Sequence, residues 1–300
     1  MAVLAACAAG AGETARDGDA PFVRSANGCR VLAPATPIGE PVLAGCARAR
    51  VEVARLLGRA APAGVVHVPA AGVSAPADTG RRPNEGWSLE LSAEEARAPL
   101  ELGDGRRVSQ LGYAAHESAH RLATAMLYPG DSTAAPGQYG SPLPDWLDEG
   151  IALLVEPPDD QRARLALLFD GAMIYALPLR RFLYMAHPAL SGAAPGSQLR
   201  QTFYGQSLAF SLYVQERAGP AGVRALVARL QGGANQGAAL TGLPGLPADG
   251  GALEQDWLAW LRARQGELAR PASASGPRTV CPAGRPCHPT AEGRRAPAAD

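Results

Sequence analysis

The run His116-Glu117-Ser118-Ala119-His120 lies inside a helix-compatible stretch from Val108 to Leu127, which Pro129-Gly130 ends. On a helix, side chains at i and i+4 stand one above the other on the same face. Two imidazoles at that spacing can point their ring nitrogens at one metal ion, about 2.0–2.1 Å from each. Glu117 lies about 100° further round the helix. It does not easily join the same ligand set, but its carboxylate can reach a water on the metal. A carboxylate there can take a proton from that water and hand it to a leaving amine. The competing reading is an exposed helix face with two histidines and a stray acid.

A catalytic zinc usually takes three protein ligands and leaves a fourth position to water, so one more ligand is needed. The next helical segment reads Pro144-Asp145-Trp146-Leu147-Asp148-Glu149-Gly150-Ile151-Ala152, with Pro144 near the first turn and two aspartates at the positive end. Together with the His pair, this segment resembles the gluzincin metallopeptidases, in which H-E-x-x-H is followed by a helix reading W-L-x-E-G-x-A. The resemblance implies Zn²⁺ held by His116, His120 and Glu149, with Glu117 as general base. It also implies a thermolysin-like catalytic domain and a peptide or protein substrate. Seven residues after Glu149 stands Glu156. Metal-bound imidazoles commonly donate their other N–H to a carboxylate, and several gluzincins place an acid at this spacing to do so.

Phe203-Tyr204-Gly205-Gln206-Ser207 is similar to the Y-G-Q-S segment of the bacterial peptidase-MA-like group. That likeness implies Tyr204 as donor to the oxyanion of a tetrahedral intermediate; a core tyrosine is the alternative. Tyr113, at i−3 from His116, is the other candidate. Leu253 to Leu258 resembles the closing helix of these domains, and Trp257 and Trp260 read as packing. Two departures stand out: the G-x-M-E-N strand that grips a free substrate amine in the aminopeptidases is absent, and Leu153 replaces the acid found four residues after the third ligand in thermolysin. Support for the metal-binding imidazoles is therefore expected through Glu156. His67, in a strand-like run, reads as core, and His187, before Pro188, as a loop residue.

Composition bounds the rest. The 28 basic and 28 acidic side chains cancel, and every basic residue is Arg. No bulk charge draws the chain to nucleic acid or anionic lipid, and lysine chemistry of every kind is excluded. The chain is 47% hydrophobic, ample for a core. Five cysteines fall as Cys7, then Cys29 and Cys46, then Cys281 and Cys287. One orphan and two pairs suit an exported protein with disulfides Cys29–Cys46 and Cys281–Cys287. Leu4-Ala5-Ala6-Cys7 resembles the lipobox of bacterial lipoproteins, which implies a lipid anchor through Cys7 and a periplasmic or cell-envelope location. No run approaches the 18 or more apolar residues of a membrane-spanning helix.

Residues 1–21 read as a tether, 22–269 as the zinc metallopeptidase domain and 270–300 as a disordered Pro/Ala/Arg-rich tail. Within the body, helical spacing covers 42–59, and strands are expected at Val65–Val68 and Trp87–Leu91, with a loop at 72–84 between them. Ser92-Ala93-Glu94-Glu95 reads as a capping box. Further helices are expected at 108–127, from Pro144 to Glu156, and at 160–169, 177–186, 201–217, 221–231 and 252–268. Strands first and helices after make an α+β class, a small N-terminal sheet followed by a mostly helical C-terminal part. The function expected is zinc-dependent hydrolysis of peptide bonds. The alternative is a non-catalytic cell-envelope binding module that keeps the fold.

Overall fold

The computed structural model describes residues 22–70, 85–97, 99–102, 105–129, 141–170, 173–194, 196–219 and 221–268. The expected tether, the 72–84 loop, the C-terminal tail, Cys7 and the Cys281–Cys287 pair lie outside the described residues. The rest is mixed α+β, with a small N-terminal sheet and a mostly helical remainder.

The chain opens with a hairpin, β1 (Phe22–Ala26) and β2 (Cys29–Ala33), paired antiparallel. Asn27 and Gly28 turn it at φ 49° and 74°. Both residues adopt positive φ, as a two-residue primed turn requires, and Asn-Gly is the pair that tolerates this best. Neither strand was expected from hydrophobic pattern, because β1 buries only Phe22 and shows no alternation.

Helix α1 (Thr36–Leu57) then crosses to β3 (Ala63–His67), which pairs parallel to β2; β4 (Glu85–Glu90) pairs parallel to β3. The helix starts ahead of the expected residue 42. Pro37 occupies the first turn, where its missing N–H costs nothing, and Pro41 forfeits a single backbone bond. The buried face of Ile38, Val42, Leu43 and Cys46 outweighs that loss. Cys46 is joined to Cys29, the pairing expected, and this ties the helix to the start of β2.

After α2 (Ala93–Arg97) and a short ladder of β5 (Leu100–Glu101) and β6 (Arg107–Val108) comes α3 (Gln110–Leu127), which packs along α1. The approach is close. A Cβ on Gly45 of α1 would stand 2.6 Å from the Leu111 carbonyl oxygen and 2.8 Å from the Ala115 nitrogen. Ser109 caps α3 by accepting from the Gly112 N–H at 3.0 Å. Its own hydroxyl donates to Asp160 of α5 at 2.6 Å.

The remaining chain is α4 (Asp145–Leu154), α5 (Pro158–Ala166), a minimal ladder of β7 (Phe169–Asp170) and β8 (Met173–Ile174), then α6 (Leu179–Tyr184) and a 3₁₀ turn at Pro188–Ser191. It closes with α7 (Gln198–Ala218), α8 (Gly222–Gln231), α9 (Gln236–Thr241) and α10 (Gly250–Leu268). Every residue of α4 is buried, and α4 lies against both α3 and α7. A helix this short is marginal alone, so its neighbours hold it. Trp146, Phe182, Phe210, Tyr213, Trp257 and Trp260 form a chain of edge and stacked ring contacts beneath it. Trp257 and Trp260 are buried packing residues, as expected. No helix among the described residues is long and apolar enough to cross a membrane.

Candidate metal centre

His116 and His120, one turn apart on α3, project toward Glu149 on α4. His116 Nε2 stands 3.1 Å from His120 Nε2 and 3.2 Å from Glu149 Oε2, and His120 Nε2 stands 3.7 Å from the same oxygen. Ligands bound tetrahedrally at about 2.0–2.1 Å from zinc are separated by about 3.3–3.4 Å. The three atoms thus already form a triangle of the size that one such ion spans.

Partners behind the rings determine which nitrogens face inward. His120 Nδ1 is 2.7 Å from Asp148 Oδ2, and Asp148 Oδ1 accepts from the Ser141 hydroxyl at 2.8 Å. His116 Nδ1 is 3.0 Å from Glu156 Oε1, off the ideal donor direction. The tautomers with protons on both Nδ1 atoms turn N–H groups toward these carboxylates and leave lone pairs on both Nε2 atoms. Glu149 Oε2, buried, has no hydrogen-bond donor at all. With both rings neutral in that tautomer, three acceptors converge with no proton between them, the state a metal ion binds. An unsatisfied buried acceptor costs free energy, and a cation relieves it.

Charge points the same way. Asp148, Glu149 and Glu156 are buried carboxylates, and the buried Arg164 guanidinium pairs with Glu156 at 2.8 Å. With neutral imidazoles, three negative charges face one positive, an excess that a divalent cation balances. Burial would lower the His120 imidazole, but Asp148 and Glu149 beside it outweigh burial and raise it to about 10. Burial would raise the Glu149 carboxyl, yet the His120 charge and the neighbouring His116 and His187 rings hold it well below the usual carboxylate range. The residues present fit a metal ion: His116, His120 and Glu149 are a buried group that could hold one.

These residues open onto a cleft of about 440 Å³, also lined by Glu117, Tyr204, Tyr113, Arg200 and Leu102. The structure thus brings Glu117 and Tyr204 to the same space as the three donors. Burial, followed by the Glu149 charge, pushes the Tyr204 phenol up, so it keeps its proton at neutral pH. Its ring lies under the Arg164 guanidinium, 5.2 Å from the centroid. Tyr113 sits across the cleft and donates to Glu95 Oε1 at 3.1 Å. Glu95 also closes the expected capping box, accepting from the Ser92 N–H at 2.9 Å.

Asp148, His187 and the buried Arg164 escaped the sequence reading. Asp148 appeared there only as an acid at a helix start, yet it holds the His120 ring. His187 was read as a loop residue of little consequence; it is fully buried, with Nε2 3.3 Å from Glu149 Oε1 and 3.2 Å from the Tyr204 hydroxyl. Asp148 carried a local signal, since the residue before a ligand on the same helix can reach an adjacent ring. His187 carried none, because only the packing of α6 and the 3₁₀ turn on α4 brings it in. His67 is half-buried on β3 and lies outside this group. No protein-family model matches the chain, and no curated protein matches it.

Proposed function

We propose that the chain is a zinc-dependent hydrolase of peptide bonds, of the gluzincin type, with a thermolysin-like catalytic domain. The observation that carries this reading is the convergence of three ligating atoms from an H-E-x-x-H helix and a W-L-x-E-G helix, with the Glu117 carboxylate lining the same cleft. His116, His120 and Glu149 would hold the ion. When bound, zinc supplies a Lewis acid that polarises a carbonyl and makes water more acidic.

The chain's own groups do the rest. Glu117 takes the proton of the attacking water and returns it to the leaving amine nitrogen. The Tyr204 hydroxyl, which keeps its proton, donates a hydrogen bond to the oxyanion. Asp148 and Glu156 keep each imidazole in the tautomer whose Nε2 is free to ligate. Export to an oxidising compartment is part of the proposal and is supported by the Cys29–Cys46 disulfide; anchoring through a lipidated Cys7 is proposed from its sequence context alone.

The test is metal analysis with peptide-library cleavage, comparing wild type with Glu117→Gln. One zinc per chain is expected in both proteins. Cleavage should fall by about 10²–10⁴-fold in the variant, the usual share of a general base. Hydrolysis that survives Glu117→Gln overturns the mechanism. Stoichiometric zinc in a wild type that cleaves nothing would favour the binding-module reading.

A further inference from the structure

Glu149 has two carboxylate oxygens, and the protein treats them differently. Oε2 faces the two imidazole Nε2 atoms and has no donor. Oε1 faces the ring of His187 at 3.3 Å. His187 is itself held from behind. Its backbone N–H donates to Asp145 Oδ2 at 2.6 Å, and its Nδ1 accepts the Ala189 backbone N–H at 3.1 Å. Accepting at Nδ1 requires a lone pair there, so the proton of the neutral ring resides on Nε2. That N–H lies between Glu149 Oε1 and the Tyr204 hydroxyl, 3.2 Å away. Asp145 and Glu149 are themselves four apart on α4, so one helix face grips His187 at both its backbone and its ring.

We infer that His187 is a positioning residue that occupies Oε1 of Glu149 with an N–H, leaving Oε2 alone to bind the metal, and that aligns the Tyr204 hydroxyl in the same contact. This rests on the metal-centre reading above. A carboxylate free to swing can offer both oxygens to an ion, raising the coordination number and filling the position that substrate needs. A donor fixed on one oxygen prevents that. The same N–H links the third ligand to the cleft tyrosine, so both are oriented by one ring.

The test uses the whole protein with His187→Phe, which keeps the ring volume but has no donor, and His187→Gln, which returns an N–H near the Nε2 position. Zn²⁺ affinity, read by competition with a chromophoric chelator, should fall about 10–100-fold in His187→Phe, the usual loss when a partner behind a ligand is removed. His187→Gln should recover most of it. The visible band of Co²⁺-loaded protein should weaken in His187→Phe as the site gains a ligand atom, and return in His187→Gln. In wild type, nitrogen NMR of labelled histidine should show the His187 proton on Nε2, a measurement that stands even if His187→Phe fails to fold. A folded His187→Phe with wild-type affinity and an unchanged Co²⁺ band overturns the inference alone, as does a proton on Nδ1. A wild type that binds neither metal overturns the metal centre and this inference with it.

Discussion

Asp148 and Glu149 are chain neighbours with opposite tasks, and the 100° step between them on α4 is the reason. Glu149 points into the triangle of acceptors, while Asp148 reaches the back of the His120 ring and takes a hydroxyl from Ser141. Removing that support should cost metal rather than fold. Asp148→Ala is expected to weaken Zn²⁺ binding by about 10–100-fold, with Asp148→Asn much milder because its amide oxygen still accepts. Chelator competition measures both, and equal affinities for wild type and Asp148→Ala would refute the assignment. Glu156 works through a longer chain. It faces His116 on one side and the buried Arg164 on the other, and Arg164 lies over the Tyr204 ring. The shared face of His116 and His120 and the offset of Glu117 could be anticipated from spacing, and Glu149 was implied by the resemblance of its W-L-x-E-G segment. Arg164 could not, because nothing in a run such as Gln161-Arg162-Ala163-Arg164 marks one arginine as buried.

Among the elements, α3 and α4 were legible because their periodicity and punctuation agree: Pro129-Gly130 after one, Pro144 at the start of the other, and apolar faces between. The β1–β2 hairpin carried a signal too, in Asn27-Gly28, but its strands have no hydrophobic alternation to draw attention to it. Two-residue ladders such as β5–β6 lie below any pattern. The element most dependent on a covalent tie is α1, held to β2 by Cys29–Cys46, both fully buried. Closing a loop of that length contributes about 3 kcal/mol in the chain-entropy account. Replacing both cysteines by alanine should therefore lower unfolding stability by about that amount in urea titration, while zinc stoichiometry stays at one. An unchanged unfolding midpoint would show that the tie adds nothing. The close crossing of α1 and α3 gives a second test. Gly45→Val drives a side chain into the Leu111 carbonyl, a backbone atom that cannot swing away. Overpacking of this kind costs about 1–3 kcal/mol and should appear as a lowered melting temperature.

For the whole molecule, the main apolar cluster among the described residues runs from Phe22 to Leu268, joining the sheet to the helices, with a small second one around Leu102 and Val108, and the metal-facing groups sit where α3 and α4 meet the cleft. A ligand that binds only the folded state stabilises it by mass action, about 4 kcal/mol at a thousand times its dissociation constant. Chelation should therefore lower the melting temperature and zinc should restore it. The pH dependence has a defined sign. In the metal-free protein His120 is raised to about 10 by Asp148 and Glu149, so at neutral pH a metal ion would have to displace a proton from it. Apparent affinity should rise with pH through neutrality and level off only near that value, as titration calorimetry in buffers of different ionisation enthalpy would reveal. Affinity independent of pH between 6 and 9 would contradict the arrangement.

The sequence by itself determined what depends on local geometry. Residues four apart on a helix must share a face, a proline and a glycine must punctuate, and so the two imidazoles, the adjacent glutamate and the second acidic helix were readable from order alone. Only the tertiary structure decided which oxygen of Glu149 is free, which carboxylate stands behind which ring, and that His187 belongs to the site. Those facts depend on how α6 and α7 dock against α4. Docking is a sum of many small apolar contacts with no short-range signature, so no stretch of the chain announces it in advance.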